Sequence, residues 1–432
     1  MCRSDLRLRA CIQAHAGALR GGRRALQSSG RRGLREAGRV SVLELASFPA
    51  ELLRVDVSAI DALAGAEDAL GGVRVDVVEP GEPVRITHIL DAVEPRLRVG
   101  GGRTNRIDGV AVLSCVDFPG EERPLHEQEA FVDLAGPGAA FTPFSSLTNV
   151  VLTFVPGADA GHVELDRAVR RVTLAVAELL AEPTHDAEPR DVERFELGPA
   201  ADALPAVAAL VQLSDLGQLY TVYVDGVPAG EAGLPRAVEP AALLDTAVTC
   251  GEYHWAALRN PTLFLQRSSL VRALFQEHGK RLRFAGLVLM RGYEQTAEDK
   301  QGAAERAAGL AVELGAGGAI ITTDGGGNSH TDTMLTCRAC ERVGVRTAVI
   351  VAEMADPDST NPGLTDWVPE ADCIVSSGNA EELVPAWRPE RVLGGDALLD
   401  GTSAQEAGPI PVRNYLGATN QTGHLTLRAT TW

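Results

Sequence analysis

The sequence lacks any apolar stretch that could cross a membrane, it has almost no lysine, and its negative charges outnumber its positive ones. No apolar run approaches the roughly 18 residues that a transmembrane helix needs, so we expect no membrane span. The net charge is −18, and lysine occurs only at Lys280 and Lys300. Nucleic-acid binding requires a basic surface that contacts phosphates, so this composition argues against a nucleic-acid partner.

Cysteine is also sparse, and its distribution excludes a disulfide framework. Seven cysteines, an odd number, are spread over 432 residues, which predicts a protein of the reducing cytoplasm. Cys337 and Cys340 form a CxxC pair, but there is no second pair to complete a four-thiolate zinc site. We predict no metal, and for this pair we favour a structural role within a helix over a redox role.

The first 39 residues differ in composition from the rest of the chain. They contain ten arginines but only two acidic residues, Asp5 and Glu36. An organelle-targeting peptide has this composition, and so would a disordered extension or a segment before the true start codon. We favour a disordered extension or an upstream segment over a targeting peptide, so we treat residues 1–39 as an extension before the folded part.

Residues 40–249 are predicted to form a β-rich α+β domain. Residues 73–78 alternate between apolar and polar side chains, which indicates a strand with one buried face. Further β-branched runs predict strands at 84–99, 110–116, 150–155 and 220–224. The periodicity predicts helices at 166–180, 206–216 and 240–249.

Residues 250–432 are predicted to form a doubly wound, mainly parallel α/β domain, so the overall class is α/β. Continuous apolar runs, typical of parallel strands buried on both faces, lie at 284–290, 318–323, 347–352 and 373–376. Predicted helices alternate with them at 296–314, 332–343 and 380–387. The first of these helices begins with a capping pair, Thr296 and Asp299.

A glycine-rich loop at residues 325–332 is the first candidate binding site. It connects a predicted buried strand to a helix, where free backbone N–H groups favour a carboxylate or phosphate. Its glycines do not have the spacing of a dinucleotide-binding loop. We predict that Asn328, Ser329, His330 and Asp332 bind substrate, with a simple strand-to-helix turn as the alternative.

Two further segments carry candidate polar side chains. His88, Asp91 and Glu94 could act as acid or base, although the end of a strand is equally a place for structural hydrogen bonds. Asp356, Asp366 and Trp367 belong to a loop that we expect over the same sheet edge as the glycine-rich loop, or simply exposed to solvent.

The bond between Thr249 and Cys250 can support chain cleavage. A thiol can attack the carbonyl that precedes it and turn its own amide into a thioester, and elimination across Cα and Cβ then cuts the chain. The resulting dehydroalanine hydrolyses to a pyruvoyl group, an electrophilic ketone that can capture an amine. A lone cysteine is more often a small buried apolar residue, so this bond alone decides nothing.

Motifs spread along the chain, in a fixed order, give the Thr249–Cys250 bond its context. They lie at 85–95, 132–138, 143–145, 260–261, 271–280, 325–332, 376–380 and 417–423. Together they resemble the proprotein of the pyruvoyl subunits of component B of glycine, sarcosine and betaine reductase. The D-proline reductase proprotein is a more distant relative. The resemblance extends from about residue 40 to residue 432.

The resemblance implies a mechanism and a set of partners. Cleavage before Cys250 would give that residue a pyruvoyl group, which holds the substrate amine as a Schiff base for reductive C–N cleavage. The nucleophile, a selenocysteine or cysteine, would come from a separate component B subunit, and components A and C would complete the reaction. Tyr253 and His254 match a Tyr-His pair that follows the family's cysteine, so His254 is a catalytic candidate.

A second hypothesis is an unprocessed homologue that binds a small amine, as a subunit or partner, without turnover. The two hypotheses differ in whether the purified chain is one piece or two. The sequence leaves open which amine is the substrate.

Overall fold

A computed structural model describes residues 42–116, 130–215, 222–250, 261–356, 363–398, 401–406 and 408–423. The predictions for the N-terminal extension and for Tyr253 and His254 lie outside the described residues.

The first half of the described chain is rich in short strands, as predicted. The strands are β1 Leu43–Phe48, β2 Leu70–Val78, β3 Val84–Ile86, β4 Ile89–Val93, β5 Arg96–Gly100, β6 Arg103–Ile107, β7 Val110–Val116, β8 Val132–Asp133, β9 Thr148–Pro156 and β10 Asp191–Phe195. The α-helices are α1 Val57–Gly65 and α2 His162–Ala181. Short 3₁₀ helices lie at Ala50–Leu52, Pro137–Phe141, Pro143–Ser146, Glu182–Thr184 and, near the C-terminus, Val412–Asn414.

The second half alternates strands with longer helices. Its strands are β11 Ala206–Ser214, β12 Val222–Val224, β13 Val227–Pro228, β14 Arg236–Val238, β15 Val248–Cys250, β16 Arg283–Gly292, β17 Gly318–Thr322, β18 Arg346–Glu353, β19 Ile374–Asn379, β20 Leu383–Val384, β21 Arg391–Leu393 and β22 Ile410–Pro411. Its helices are α3 Pro240–Leu244, α4 Thr262–Gln266, α5 Ser269–Glu277, α6 Ala297–Glu313 and α7 Asn328–Arg342.

Two four-stranded mixed sheets organise the first half, in the orders β10-β1-β6-β5 and β2-β9-β7-β4. Helix α2 packs on the second sheet through a stripe at helical spacing, formed by Leu165, Val169, Val172 and Val176. The same apolar core contains the central strands β7 and β9, whose side chains are almost all buried. The predicted strand at 84–99 is divided into β3, β4 and β5.

A six-stranded sheet organises the second half, in the order β14-β16-β11-β17-β18-β19. Five neighbouring strands of this sheet are parallel to one another, namely β16, β11, β17, β18 and β19. Strand β14 pairs antiparallel with β16 at one edge. Helices α6 and α7 cover one face, and α5 packs in the cluster on the other. At the start of α6, Thr296 accepts the N–H of Asp299 at 3.1 Å, which confirms the predicted cap. The architecture is mixed α/β, while the arrangement in two separate domains stays a prediction.

The helix predicted at 206–216 is wrong, because residues 206–214 form the strand β11. The run contains three alanines, which favour a helix in isolation. Every residue from Val207 to Ser214 is buried, since β11 lies inside the six-stranded sheet and is covered on both faces. An all-round apolar run of this length fits a buried parallel strand as well as a helix.

Two other predicted helices differ from the structure. Residues 380–387 contain no helix; Leu383–Val384 forms β20, which pairs with β22. Pro385 follows directly, and the residue before a proline is disfavoured in the helical region. The helix predicted at 240–249 ends at Leu244, and residues 248–250 form the strand β15 instead.

Strands from both sides of the Thr249–Cys250 bond share sheets. Before the bond, β11 and β14 lie in the six-stranded sheet with β16 to β19, which follow it. The early strand β3 pairs with β21 near the C-terminus, and Phe131 forms a bridge with Tyr415. The predicted boundary at 249/250 would therefore separate two products of cleavage, and it does not separate two sheets. Those products would remain hydrogen-bonded to each other.

None of the helices in the described ranges combines the length and the apolar character needed to cross a bilayer.

Candidate functional site

Cys250 ends the short strand β15, at the edge of a three-stranded antiparallel sheet with β12 and β13. Cys250 is opposite Val222 and Thr249 is opposite Tyr223. Both residues of the candidate cleavage bond are buried, with Cys250 4% and Thr249 6% exposed. Since side chains alternate along a strand, Val248 and Cys250 share a face that packs in an apolar cluster, while Thr249 faces the other side.

A buried polar chain begins at the nitrogen of the candidate cleavage bond. The backbone N–H of Cys250 donates to Thr262 Oγ1 at 2.9 Å. The Thr262 hydroxyl donates in turn to Asp91 Oδ2 at 2.6 Å. Asp91 Oδ1 also accepts the backbone N–H groups of Thr262 and Ala92, at 2.9 and 2.8 Å. These three donors match an ionised carboxylate, because each of them needs an acceptor.

Two neighbouring acidic residues hold both ends of the helix that follows the bond. Asp91, in β4, binds Thr262 at the start of α4. Glu94, just after β4, binds Arg267 Nε at 2.7 Å, and its backbone N–H donates to Gln266 Oε1 at 2.9 Å at the helix end. Helix α4 is therefore fixed to β4 although it has only five residues.

Glu94 is a structural anion. It is fully buried, and burial alone would raise its pKa, but the charges of Arg267, Arg96 and Arg106 outweigh this effect and hold the pKa well below its usual range. A carboxyl group in that state is a poor acid or base near neutral pH. Of the three candidates in residues 88–94, Asp91 contacts the candidate cleavage site through a hydrogen-bond chain. His88 lies in a turn with a φ of 52°, against Gly395.

An open cleft of about 600 Å³ lies on the Thr249 side of the strand, with Thr249 in its wall. Arg96 and Arg98, which also line it, are paired with Glu94 and Asp245. Arg170 lines the same cleft with its guanidinium 3.9 Å from the centre of the Tyr223 ring. Among the described residues, Arg170 forms no salt bridge and its Nε has no hydrogen-bond partner. Within the described part of the chain, Arg170 thus has no carboxylate at salt-bridge distance, while Glu178 and Asp225 line the same cleft.

The chain approaches the candidate cleavage bond through a strained residue. Thr246 has a φ of 66°, which is unfavourable for a β-branched side chain. Its hydroxyl accepts a hydrogen bond from Gln266 Nε2 at 2.8 Å, and both side chains line the cleft. Conformations of this kind cost about 1–3 kcal/mol and concentrate at functional sites.

The glycine-rich loop is more tightly packed than predicted. Helix α7 begins at Asn328 and not at Asp332, so all four predicted residues belong to its first turns. The hydroxyl oxygens of Ser329 and Ser214 are 3.3 Å apart. Asp332 accepts from Lys300 Nζ and from the Tyr293 N–H, both at 2.8 Å. Burial raises the Asp332 pKa, and Lys300 opposes this shift.

His330 and Asn328 differ sharply in exposure. His330 is fully buried, its Nδ1 accepts the N–H of Thr365 at 3.3 Å, and burial lowers its pKa. Asn328 is exposed. Thr365 belongs to the loop after β18, which we expected over the same sheet edge. Trp367 in that loop is 58% exposed.

Two adjacent residues connect the glycine-rich loop to the strand of Cys250. Ser214, the last residue of β11, contacts Ser329, and the next residue, Asp215, accepts the N–H of Val222 at 3.4 Å. Val222 is the register partner of Cys250. The glycine-rich loop and the candidate cleavage bond therefore both lie beyond the carboxyl end of β11.

The CxxC pair is buried in α7. Burial raises the pKa of Cys337 to about 11 and that of Cys340 to about 12. Both groups thus remain thiols near neutral pH, which favours the structural role. Within the described ranges, no cluster of three or more His, Cys, Asp or Glu side chains could hold a metal ion.

Sequence reasoning singled out Cys250 and Asp91 as candidates, whereas Thr262, Arg170 and Gln266 join the candidate site only in the structure. Thr262 directly follows the Asn260–Pro261 motif, which was the available signal. Arg170 was hidden in an ordinary amphipathic helix, because only the tertiary structure places it over Tyr223.

Comparisons with known proteins agree on one family. Residues 40–427 match the family of glycine/sarcosine/betaine reductase component B subunits. The glycine reductase complex component B subunits alpha and beta of Acetoanaerobium sticklandii are 28% identical over 399 residues, which is 85% of this chain and 91% of the relative. The sarcosine reductase complex component B subunit alpha of Peptoclostridium acidaminophilum is 30% identical over 397 residues, 86% of this chain and 88% of the relative.

The betaine reductase complex component B subunit alpha of Peptoclostridium acidaminophilum is 30% identical over 364 residues, 77% of this chain and 80% of the relative. No solved structure matches the chain. The family match covers nearly the whole sequence, so this chain belongs to the glycine/sarcosine/betaine reductase component B subunits.

Proposed function

We propose that this chain is the proprotein of a pyruvoyl-dependent amino-acid reductase and that it breaks its own Thr249–Cys250 bond. The observation that carries the proposal is the position of this peptide. Its nitrogen is bonded to the buried Thr262–Asp91 pair, and Thr249 lines an open cleft. The bond is thus held by fixed polar groups on one side and reachable by a small molecule on the other.

The cleavage uses atoms of Cys250 itself. Its thiol adds to the Thr249 carbonyl carbon, the C–N bond breaks, and the thiol proton moves to the nitrogen, giving a thioester and a free amine. Loss of the Cα proton and rupture of the Cβ–S bond then release Thr249 as a thiocarboxylate. The remaining dehydroalanine takes up water and loses ammonia, so no oxidant or reductant is consumed.

The ketone formed at Cys250 would hold a substrate amine as a Schiff base and withdraw electrons from the substrate α-carbon. The neighbouring cleft suits a small substrate, because its volume of about 600 Å³ lies in the usual range for ligand sites. The relatives are named for glycine, sarcosine and betaine reductases. Betaine has a quaternary nitrogen and cannot form a Schiff base, so we favour a primary or secondary amine.

A substrate carboxylate needs a cation or backbone donors close to Cys250. Asn328 is the exposed candidate of the predicted set, and the start of α7 adds backbone N–H groups. Ser329, His330 and Asp332 would support this surface from below, since they are buried. Arg170 is an alternative ligand for this carboxylate, because it lines the same cleft as Thr249 and takes part in none of the salt bridges among the described residues.

The proposal includes partners. The relatives are components of multi-subunit reductase complexes by name. We propose that a selenocysteine- or cysteine-bearing component B subunit attacks the bound substrate. Components A and C would then process the product, and the complex would operate in the cytoplasm.

Denaturing gel electrophoresis of freshly synthesised chain tests the proposal. We expect the wild type to give two pieces, residues 1–249 and 250–432, and Cys250→Ala to remain one piece. Cys250→Ser should process slowly, because an alcohol can form an ester in the same way. Cys115→Ala is the matched control, since it also removes a buried cysteine from a strand. A wild-type chain that stays full-length favours the amine-binding subunit without turnover.

A further inference from the structure

We propose that Thr262 is a catalytic residue of the cleavage step and that Asp91 positions it and balances the charge that develops on the Cys250 nitrogen. This inference rests on the proposed function, because it assigns residues to the cleavage reaction. It begins from the hydrogen-bond chain that runs from the Cys250 nitrogen through Thr262 Oγ1 to Asp91.

The direction of the chain follows from its donors. A hydroxyl has one hydrogen, and Thr262 uses it to donate a hydrogen bond to the Asp91 carboxylate at 2.6 Å. Thr262 Oγ1 is therefore an acceptor toward Cys250, whose N–H points at it from 2.9 Å. In this arrangement the carboxylate makes the hydroxyl oxygen a stronger acceptor, because hydrogen bonds in a chain polarise one another.

The reacting nitrogen changes in a way that this pair can stabilise. In the amide the nitrogen has one hydrogen and no charge. After the Thr249 acyl group has moved to sulfur, the nitrogen is an amine that takes up protons. A buried ammonium group without a counter-charge is costly. Thr262 is fully buried and Asp91 is 4% exposed, so this counter-charge is largely shielded from water. The pair therefore favours the thioester side of the equilibrium.

Thr262 can be altered without releasing the helix that contains it. The Thr262 backbone N–H still donates to Asp91 Oδ1 when the side chain is changed. The far end of α4 remains bound through Arg267 and Gln266 to Glu94. Thr262→Val, which replaces the hydroxyl by a methyl group of similar size, thus removes the hydrogen-bond chain while the backbone anchors remain.

The experiment follows cleavage in pulse-labelled chain from cell-free synthesis. We expect Thr262→Val and Asp91→Asn to cleave about 100-fold more slowly than wild type, the lower end of typical acid–base contributions. Thr262→Ser keeps the hydroxyl and should cleave within about threefold of wild type. Thr173→Val is the control, because Thr173 is a buried threonine in α2 whose hydroxyl donates to Val169. It should cleave at the wild-type rate.

A second readout separates charge stabilisation from a general loss of structure. Brief hydroxylamine treatment of quenched samples cuts the thioester and leaves an intact Cys250 at the new N-terminus, so it measures how much thioester is present. We expect less thioester in Thr262→Val and Asp91→Asn, with Thr262→Ser restoring it. Thioester that accumulates in these variants would overturn the assignment, since the pair would then act only in the later elimination.

The outcomes distinguish this inference from the function on which it rests. If wild type, Thr262→Val and Asp91→Asn all cleave at one rate, the assigned roles are refuted and the cleavage proposal stands. If Thr262→Ser is folded but as slow as Thr262→Val, the hydroxyl is not the active group and the assignment fails. A wild-type chain that never cleaves would refute the proposed function and this role with it.

Discussion

Replacing Arg85 should test whether the motif around residues 85–95 holds the two halves of the chain together. Arg85 is fully buried and binds both carboxylate oxygens of Asp133, at 2.7 and 2.9 Å. It also donates to the Ala404 carbonyl at 3.0 Å, and the Tyr415 hydroxyl donates to Asp133 at the same distance. Ala404 and Tyr415 follow the candidate cleavage bond, so this cluster would join the two products of cleavage.

The expected cost follows from what Arg85→Met leaves behind. Asp133 would remain buried with the Tyr415 hydroxyl but without its counter-charge, and breaking a buried pair in this way costs about 3–5 kcal/mol of folding free energy. A double variant, Arg85→Met with Asp133→Leu, removes both charges and should recover most of that loss. The control is Arg194→Met, because Arg194 is exposed and its pairs with Glu44 and Glu196 are screened by solvent, so its loss should change the stability little.

Urea unfolding followed by circular dichroism measures these differences in a Cys250→Ala background, which should keep the chain in one piece. For the cleaved protein, the measured quantity is the urea concentration at which the two pieces separate on size exclusion. This concentration should rank the variants in the same order. An Arg85→Met variant as stable as Arg194→Met would refute the reasoning that this buried cluster fastens the products to each other.

Three further predictions concern the site. Glu94→Gln should destabilise the protein by about 3–5 kcal/mol at neutral pH. The folded pKa of Glu94 lies below its ordinary value of 4.5, so its contribution is present above that pH and is lost as the pH falls through the folded value. The free energy of unfolding, measured against pH, should therefore differ less and less between Glu94→Gln and wild type as the pH falls below 4.5. Asn328→Ala and His330→Ala should reduce borohydride trapping of the substrate amine while cleavage continues; wild-type trapping in both would make the loop only a turn. Arg170→Met should weaken carboxylate-dependent trapping about tenfold or more if Arg170 binds the substrate, with Arg170→Lys partly active; equal trapping by both variants and wild type would exclude Arg170.

The sequence predicted most elements whose burial pattern is one-sided or continuous. Residues 166–180 show a clear apolar stripe, and the structure has α2 there, extended slightly at both ends. The runs at 284–290, 318–323 and 347–352 became the parallel strands β16, β17 and β18. The run at 206–214 failed because its alanines favour a helix, while its place in the sheet depends on contacts with β16 and β17 that are far away in sequence.

The candidate site was predictable only in part, for a related reason. Cys250 could be selected from its motif context, and Asp91 from its position in a polar segment. Their connection through Thr262 spans 171 residues between Asp91 and Thr262, and no local pattern reveals such a contact. The role of Glu94 was equally hidden, because it depends on arginines from β5, β6 and the end of α4 that converge only in the folded chain.

The intact mass of the C-terminal piece tests the central claim most directly. Wild-type protein should be denatured without reducing agents that react with ketones, and the piece covering residues 250–432 should be weighed. The account predicts a piece whose first residue has lost both the sulfur and the nitrogen of Cys250 and gains two hydrogens on borohydride treatment. A single full-length mass, or a piece that begins with an unchanged cysteine, would contradict the account.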